Sequence, residues 1–234
     1  MKSYGQYCPI ARTSELLAER WTPILLRNLL AGCSTFGELL EGAPGISRAL
    51  LAQRLELLER QGILTKKVVG TGRCRCYYAL TDKGRELKNV TDAMGMWGAR
   101  WLEIEPHHAD PAYVLWATCR LVDLARLPKH GFVVQVILRD RTRKSFWLLL
   151  RQPRAEVCTS YPGRSPDLVM TSDSGTLAHW HLRHIDYQDA TRTGRLRIEG
   201  PPMLVKRFLT ALRPSPYAQV LRASAAGIKR RTGR

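Results

Sequence analysis

The chain has 234 residues, 44% of them hydrophobic, with 37 Lys/Arg against 20 Asp/Glu and a formal net charge of +17. It holds no run of about 18 apolar residues, its opening "MKSYGQYCPIARTSELL" lacks the apolar core of a signal peptide, and six cysteines are too sparse for a disulfide scaffold. A membrane-spanning helix and the disulfide-rich secreted class are thereby excluded, and a cytoplasmic protein with reduced thiols is the expectation.

The positive charge favours a polyanionic partner, nucleic acid ahead of an anionic membrane surface. It is unevenly placed. Residues 1–104 hold 15 Lys/Arg and 10 Asp/Glu (+5), whereas residues 105–234 hold 22 and 10 (+12), part of this in a basic tail, 218–234, that ends "KRRTGR".

Residues 13–31 read as two helices. In "TSELLAERW", Thr13 or Ser14 is an N-cap with Glu15 in the first turn. In "TPILLRNLLAG", Thr22 is the cap, Pro23 the first helical residue and Gly32 lies past the end. "TFGELLEGAPG" carries a short helix that stops at glycine and proline. "ISRALLAQRLELLERQGIL" follows, with Ser47 as N-cap, a stripe of Leu51, Leu55 and Leu58 at i, i+4 and i+7, and Gly62 at the C-terminal stop. The pattern then turns β-rich in "ILTKKVV" and "RCRCYYALT", joined by "GTG", a hairpin by composition. Helical spacing returns in "TDKGRELKNVTDAMGMWGARWLE", with Leu87, Val90, Met94, Trp97 and Trp101 at steps of three and four.

Helices followed by a hairpin is the layout of a winged helix-turn-helix. The leucine stripe faces inward, and Arg48, Gln53 and Arg54 lie on the opposite side near the start of that helix, where a major-groove helix reads bases. Arginine suits guanine and glutamine suits adenine through bidentate hydrogen bonding. The bland alternative is an amphipathic helix with a solvated basic face.

The segments "CPIARTSELLAERWTPILLRNLLAG", "TFGELLEGAPGISRALLAQRLELLERQGIL" and "YYALTDKGREL" closely resemble the HxlR-type winged-helix transcription regulators, relatives of the MarR-like group. The resemblance runs from Cys8 to about Trp101. It implies a homodimeric regulator on a two-fold symmetric, double-stranded DNA operator, with the helix from Ser47 as reader and residues 64–80 as wing. The DNA-contacting set is then Ser47, Arg48, Gln53, Arg54, Lys66, Lys67, Arg73 and Arg75. Met94, Trp97 and Trp101 extend an apolar stripe that a small winged helix cannot bury alone, and a partner helix is the expected cover, with the C-terminal domain as the alternative. Strand alternation puts Cys74, Cys76, Tyr78 and Leu80 on one face of the wing and Arg73, Arg75 and Tyr77 on the other, so Cys76 reads as a core residue rather than a metal ligand, with a redox role for Cys74 or Cys76 as the alternative. Cys8, at the mouth of the first helix, is a candidate thiol sensor, since some HxlR-type members use a cysteine there. The competing reading is a residue that belongs only to the helix start.

Residues 105–111, "EPHHADP", read as a linker. Beyond them the texture is that of a separate α+β unit over 112–217. Strands are expected in "FVVQVILRD", "SFWLLLRQ", "AEVCTSY", "DLVMTSD" and "RLRIEG", and helices in "GTLAHWHLRHI", "YQDATRTG" and "PMLVKRFLTAL". The stretch from "DLVMTSD" to "PPMLVKRF", above all "GRLRIEG" before a helix, resembles a sterol-carrier-protein type domain. That implies an apolar pocket, with Trp147, Leu149, Met170, Leu177, Trp180, Phe208 and Leu212 as its candidate lining and an apolar small molecule as the possible partner. Ordinary core is the alternative for each of them. In "HWHLRH", His181 and His184 share a helix face by spacing and His179 points elsewhere. No phosphate loop, nucleophile elbow or metal motif is present, so neither an enzyme, a cofactor, a metal nor a membrane partner is expected. The fold class is α+β: a winged helix-turn-helix followed by a smaller-sheet sterol-carrier-like domain. The rival function is a lipid or acyl carrier whose winged helix mediates protein contact.

Overall fold

The computed structural model describes residues 3–70, 75–103, 105–218 and 220, and the chain divides into two compact units, Met1–Gly95 and Met96–Arg234. Most of the tail 218–234, together with Arg73 and Cys74 at the wing tip, lies outside the described residues.

In the first unit, α1 (Pro9–Leu17) begins earlier than the Thr13 or Ser14 expected of it. Pro9 takes the first helical position, where its missing N–H costs nothing and its fixed φ suits the helix. α2 (Thr22–Leu30) is also displaced by one at its start. Trp21, not Thr22, is the N-cap, held left-handed at φ 78°, and Gly32 follows the helix at φ +86° as expected. α3 (Phe36–Glu41) opens on a capping box in which Thr35 Oγ1 accepts from Glu38 N and Glu38 Oε2 accepts from Thr35 N at 2.8 Å. α4 (Arg48–Arg60) buries Leu51, Leu55 and Leu58. β1 (Leu64–Val69) and β2 (Arg75–Leu80) pair antiparallel, Leu64 opposite Leu80.

α5 (Asp82–Trp101) starts on a close approach. A Cβ at Gly84 would stand 2.1 Å from the Ile63 carbonyl oxygen and 3.0 Å from Leu80 Cδ2. Thr81 Oγ1 accepts from Gly84 N at 3.1 Å and donates to Gly62 O at 2.7 Å. The "LTDKG" motif thus seats the first turn of α5 on the base of the hairpin.

The second unit is built on a sheet of order β5-β4-β3-β6-β7, formed by β3 (Phe132–Leu138), β4 (Lys144–Arg151), β5 (Arg154–Cys158), β6 (Leu168–Ser172) and β7 (Leu196–Glu199). β3 and β6 are parallel and the other pairings antiparallel. α6 (Pro111–Leu121), α7 (Ser174–His181), α8 (Tyr187–Arg192) and α9 (Pro202–Ala211) complete it. Phe132, Val134, Val136 and Leu138 join Phe146, Leu148 and Leu150 in one core with Leu115 of α6, Leu177 of α7 and Phe208 of α9. The Phe132 and Phe208 rings stack with centroids 6.2 Å apart. α6 lies in a stretch to which the sequence reading assigned no element. Within the supposed linker, Asp110 accepts from Ala112 N at 2.8 Å and starts that helix.

No helix among the described residues is long and apolar enough to cross a membrane.

Candidate nucleic-acid interface

α4, the expected reading helix, is fixed at its first turn. Ser47 Oγ accepts from Leu50 N at 3.2 Å, as an N-cap should, and Gly45 supplies the left-handed turn before it at φ +92°. With Leu51 and Leu58 fully buried and Leu55 nearly so, helical geometry turns the opposite side outward. Gln53 is exposed there, and Arg48, three residues before Leu51, is exposed at the free first turn where the leucine stripe has not yet begun. The Arg48 guanidinium carbon stands 5.1 Å from the Phe36 ring centroid, a stacking that limits how far the side chain swings.

Arg54 departs from its expected place in this group. It flanks the buried stripe, and its side chain is only 15% exposed; its Nη2 donates to Glu19 Oε2 at 2.6 Å. It ties α4 to the turn between α1 and α2, so its guanidinium is not free to meet a base edge. The signal was available in the spacing, since Arg54 stands three residues after Leu51 and one before Leu55.

The wing is anchored to the body by Tyr78 N donating to Ser34 O at 2.7 Å and by an antiparallel bridge between Thr35 and Tyr77. Tyr78 is buried and Cys76 half-buried, on the face expected of them. Lys66, Lys67 and Arg75 are exposed, but the two lysines part company. Lys66 pairs across the hairpin with Tyr78 and Lys67 with Tyr77, so alternation sends them to opposite faces. Lys67 and Arg75 share a face.

α1 and α5 form a second surface that sequence reasoning found only in half. An open groove of about 430 Å³ is lined by Pro9, Ile10 and Leu17 of α1 and by Val90 and Met94 of α5. Ile10, Met94, Trp97 and Trp101 are well exposed. Ile10 and Pro9 were missed because the helix was begun four residues too late. Cys8 caps the start of α1, exposed, with no side-chain hydrogen bond to the helix.

The seven expected pocket residues of the second unit do not line one space. Met170, Leu177 and Phe208 are fully buried and Trp180 nearly so, within the packed core. Trp147 and Leu149 alternate with Phe146, Leu148 and Leu150 and therefore face the other side of the sheet, where Trp147 meets the Tyr161 ring edge-on at 6.2 Å. Trp180 and Leu212 line a void of only about 10 Å³ with Thr118, His181 and Arg183, room for at most one water.

The histidines are also arranged differently from the expectation. α7 ends at His181, and Arg183 turns left-handed at φ 61°, which folds the chain back. His179 and His184 then meet, Nδ1 to Nδ1 at 2.9 Å, while His181 Nδ1 lies 2.9 Å from Thr118 Oγ1. Thr118 Oγ1 also donates to Val114 O at 2.8 Å, which ties the His181 ring to the backbone of α6 through this hydroxyl. Burial, and after it the Arg183 cation, lowers the His181 pKa to about 4. Burial pushes the Cys119 thiol up to about 12, which suits a packing residue and not a nucleophile.

Comparison with known proteins follows this division of the chain. The profile of the HxlR-like helix-turn-helix family matches residues 16–106, and that of the SCP-2 sterol transfer family matches residues 119–213. The HTH-type transcriptional regulator sll1512 of Synechocystis sp. is 40% identical over 101 residues, covering 43% of this chain and 75% of that protein. YodB, an HTH-type transcriptional regulator of Bacillus subtilis, is 33% identical over 97 residues, covering 41% and 87%. Among solved structures, the redox regulator HypR in its reduced form is 28% identical, with a TM-score of 0.38 over 39% of this chain and 90% of that one.

Proposed function

The chain belongs to the HxlR-like helix-turn-helix family, and from that premise we propose that it is a homodimeric, sequence-specific DNA-binding transcriptional regulator. The observation that carries the reading is α4: a Ser47-capped helix, rigid on its buried leucine side, that presents Arg48 and Gln53 outward at its start. Those two side chains read bases. Lys67 and Arg75 on the wing, and Arg73 beside them in sequence, hold phosphates, which fixes register without reading sequence. The groove between α1 and α5, continued by Trp97 and Trp101, receives the partner protomer.

The test is binding of Arg48→Ala and Gln53→Ala proteins to a duplex selected from random DNA by the whole chain. Each substitution costs about 1–3 kcal/mol on the selected duplex and leaves affinity for scrambled DNA nearly unchanged. Equal losses on both duplexes would show that α4 does not read bases.

The finer part of the reading is the input. The sterol-transfer match of residues 119–213 supports response to an apolar small molecule. Because Met170, Leu177 and Phe208 fill the core, such a ligand enters by displacing side chains and not by occupying a ready cavity. It alters operator affinity only if it favours one arrangement of the two DNA heads, and operator must then alter its affinity by the same factor. A second reading rests on Cys8, whose exposure at the start of α1 makes it accessible to oxidants and electrophiles. Operator titration of wild type and Cys8→Ser, with long-chain acyl compounds or with peroxide, separates the two. A response to peroxide that Cys8→Ser loses, with indifference to every acyl compound, makes the thiol the input.

A further inference from the structure

One end of the five-stranded sheet concentrates unpaired positive charge. β3 leaves the core at Leu138, and the turn to β4 reads Arg139, Asp140, Arg141, Thr142, Arg143, Lys144, all exposed. The same end is extended across the sheet by pairing: Lys144 opposite Leu138, Leu138 beside Ser172 of β6, and Ser172 opposite Leu196 of β7. Arg195, exposed, precedes Leu196 there, and its carbonyl accepts from Ser172 Oγ at 3.1 Å, while Arg139 N donates to Ser172 O at 2.8 Å. Four strands, three spacings of about 4.8 Å, thus carry a cationic row about 14 Å long.

The local carboxylates offset it only in part. Asp140 keeps its charge while accepting from Ser174 Oγ at 2.6 Å and Ser174 N at 3.2 Å, and Asp173, directly after β6, keeps its own while accepting from Thr176 Oγ1 at 2.6 Å and Thr176 N at 2.7 Å, so the five cations outnumber these two carboxylates. Asp189 pairs with Arg192, and Glu199 with Arg197. Among the described residues Arg139, Arg141, Arg143, Lys144 and Arg195 make no ion pair. Exposed cations left together in this way repel one another, and folding does not require them there.

We infer that this end of the sheet is a second DNA-contacting surface, which holds backbone phosphates flanking the site read by α4. Two features favour a nucleic acid over an anionic membrane. Four of the five cations are arginine, whose planar fork meets phosphate oxygens in pairs. The row also holds no exposed apolar side chain: among the described residues from 105 on, the large exposed hydrophobics are Tyr161 and Met203, and neither lies in it. A membrane-surface patch normally adds an apolar anchor to its charge. Along one strand of a duplex, about 14 Å spans about four 3.4 Å steps, enough for the row to meet several phosphates. The charge excess of residues 105–234, unexplained by the reading helix, acquires a role. The inference rests on the reading of the first unit as a DNA head.

The experiment uses the full chain and its selected duplex, once trimmed to the site and once extended by about 10 bp on each side. Affinity is measured against salt for wild type and for the triple variant Arg139→Ala, Arg141→Ala, Arg143→Ala. On the extended duplex the variant's log–log salt slope falls by about 0.9 per contact, about 2.7 in all, and the affinity gained from the flanks disappears. The ratio of selected to scrambled affinity is unchanged. Lys129→Ala, Lys206→Ala, Arg207→Ala removes the same charge from exposed positions outside the row and leaves the slope as in wild type. Should the first variant lose its fold by circular dichroism, Lys144→Ala with Arg195→Ala gives the same reading, with a fall of about 1.8. An unchanged slope, or an equal fall in the control variant, overturns the inference. So does loss of binding to phosphatidylserine vesicles with DNA binding intact, which would assign the row to a lipid surface. Failure of wild type to prefer its selected duplex over a scrambled one defeats the regulator reading instead, and is seen before any variant is made.

Discussion

The chain up to Leu102 and the chain from residue 105 treat apolar surface in opposite ways. The first leaves Tyr7, Ile10, Val90, Met94, Trp97 and Trp101 exposed, most of them on two neighbouring amphipathic helices. Among its described residues, the second folds five strands and four α-helices around one core that includes Phe132, Phe208, Met170 and Leu177, and leaves only Tyr161 and Met203 as large exposed hydrophobics. A region that stops short of covering itself is built to be covered by something else, whereas a closed core is stable alone and must be forced open to admit anything. The contrast separates an uncovered apolar surface from a body whose described residues expose mainly charge.

The strongest way to break the comparison is to open the closed half. Phe208→Ala removes a fully buried ring stacked on Phe132 and costs about 3–5 kcal/mol in the urea transition of the second unit. Operator binding by α4 persists in the folded protein below that transition. Simultaneous loss of both would mean that the halves unfold as one.

Assembly is tested next. Trp97→Glu, 59% exposed in the single chain, puts a carboxylate on the face proposed to receive a partner and costs about 2–4 kcal/mol of association, read as a shift to monomer in sedimentation equilibrium. The fold of the single chain is unaffected. A dimer unmoved by the change places the partner elsewhere.

Acid sharpens the contrast from the other side. The ordinary histidine pKa is 6.5, and His181 holds its neutral form down to about 4. Between those values the unfolded chain binds a proton that the folded chain refuses. Stability is therefore full above about pH 6.5 and declines as pH falls toward 4, by about 3 kcal/mol at most. The loss appears in the second unit's transition, and His181→Leu flattens that limb of the profile. A slope unaltered by the substitution would put the acid-sensitive group elsewhere.

The smallest effect belongs to the reading helix. Ser47→Ala removes the cap bond to Leu50 N and costs the first unit about 1 kcal/mol. Because Arg48 sits in the turn that frays, operator affinity falls more than affinity for scrambled DNA. Equal falls would detach the cap from base reading.

Legibility followed periodicity. The leucine stripe of α4, its Ser47 cap and the hairpin were plain in the sequence, because one face of each element is polar. α6 was invisible: Val114 through Cys119 are all buried, so the helix has no polar face to set a period, and only Asp110 and Pro111 announced it. The pocket failed for a related reason. β4 is apolar on both faces, and the parity that separates Trp147 from Leu148 cannot be assigned to a side of the sheet without its neighbours. Arg54 was misplaced because a helix face has a boundary, and a long side chain at that boundary was drawn to Glu19.

Gly84 sets a limit on how this head can be changed. Every other amino acid begins with a Cβ, and here that atom would sit 2.1 Å from a backbone oxygen that belongs to the hairpin. Backbone, unlike a flexible side chain, cannot swing aside, so α5 would have to lift from its seat and carry Val90, Met94 and Trp97 with it. In a protein-engineering library the codon would tolerate no amino-acid change, although the residue carries no side chain of its own. A graft of this head onto another body would keep 62–84 intact and place its seam further along α5.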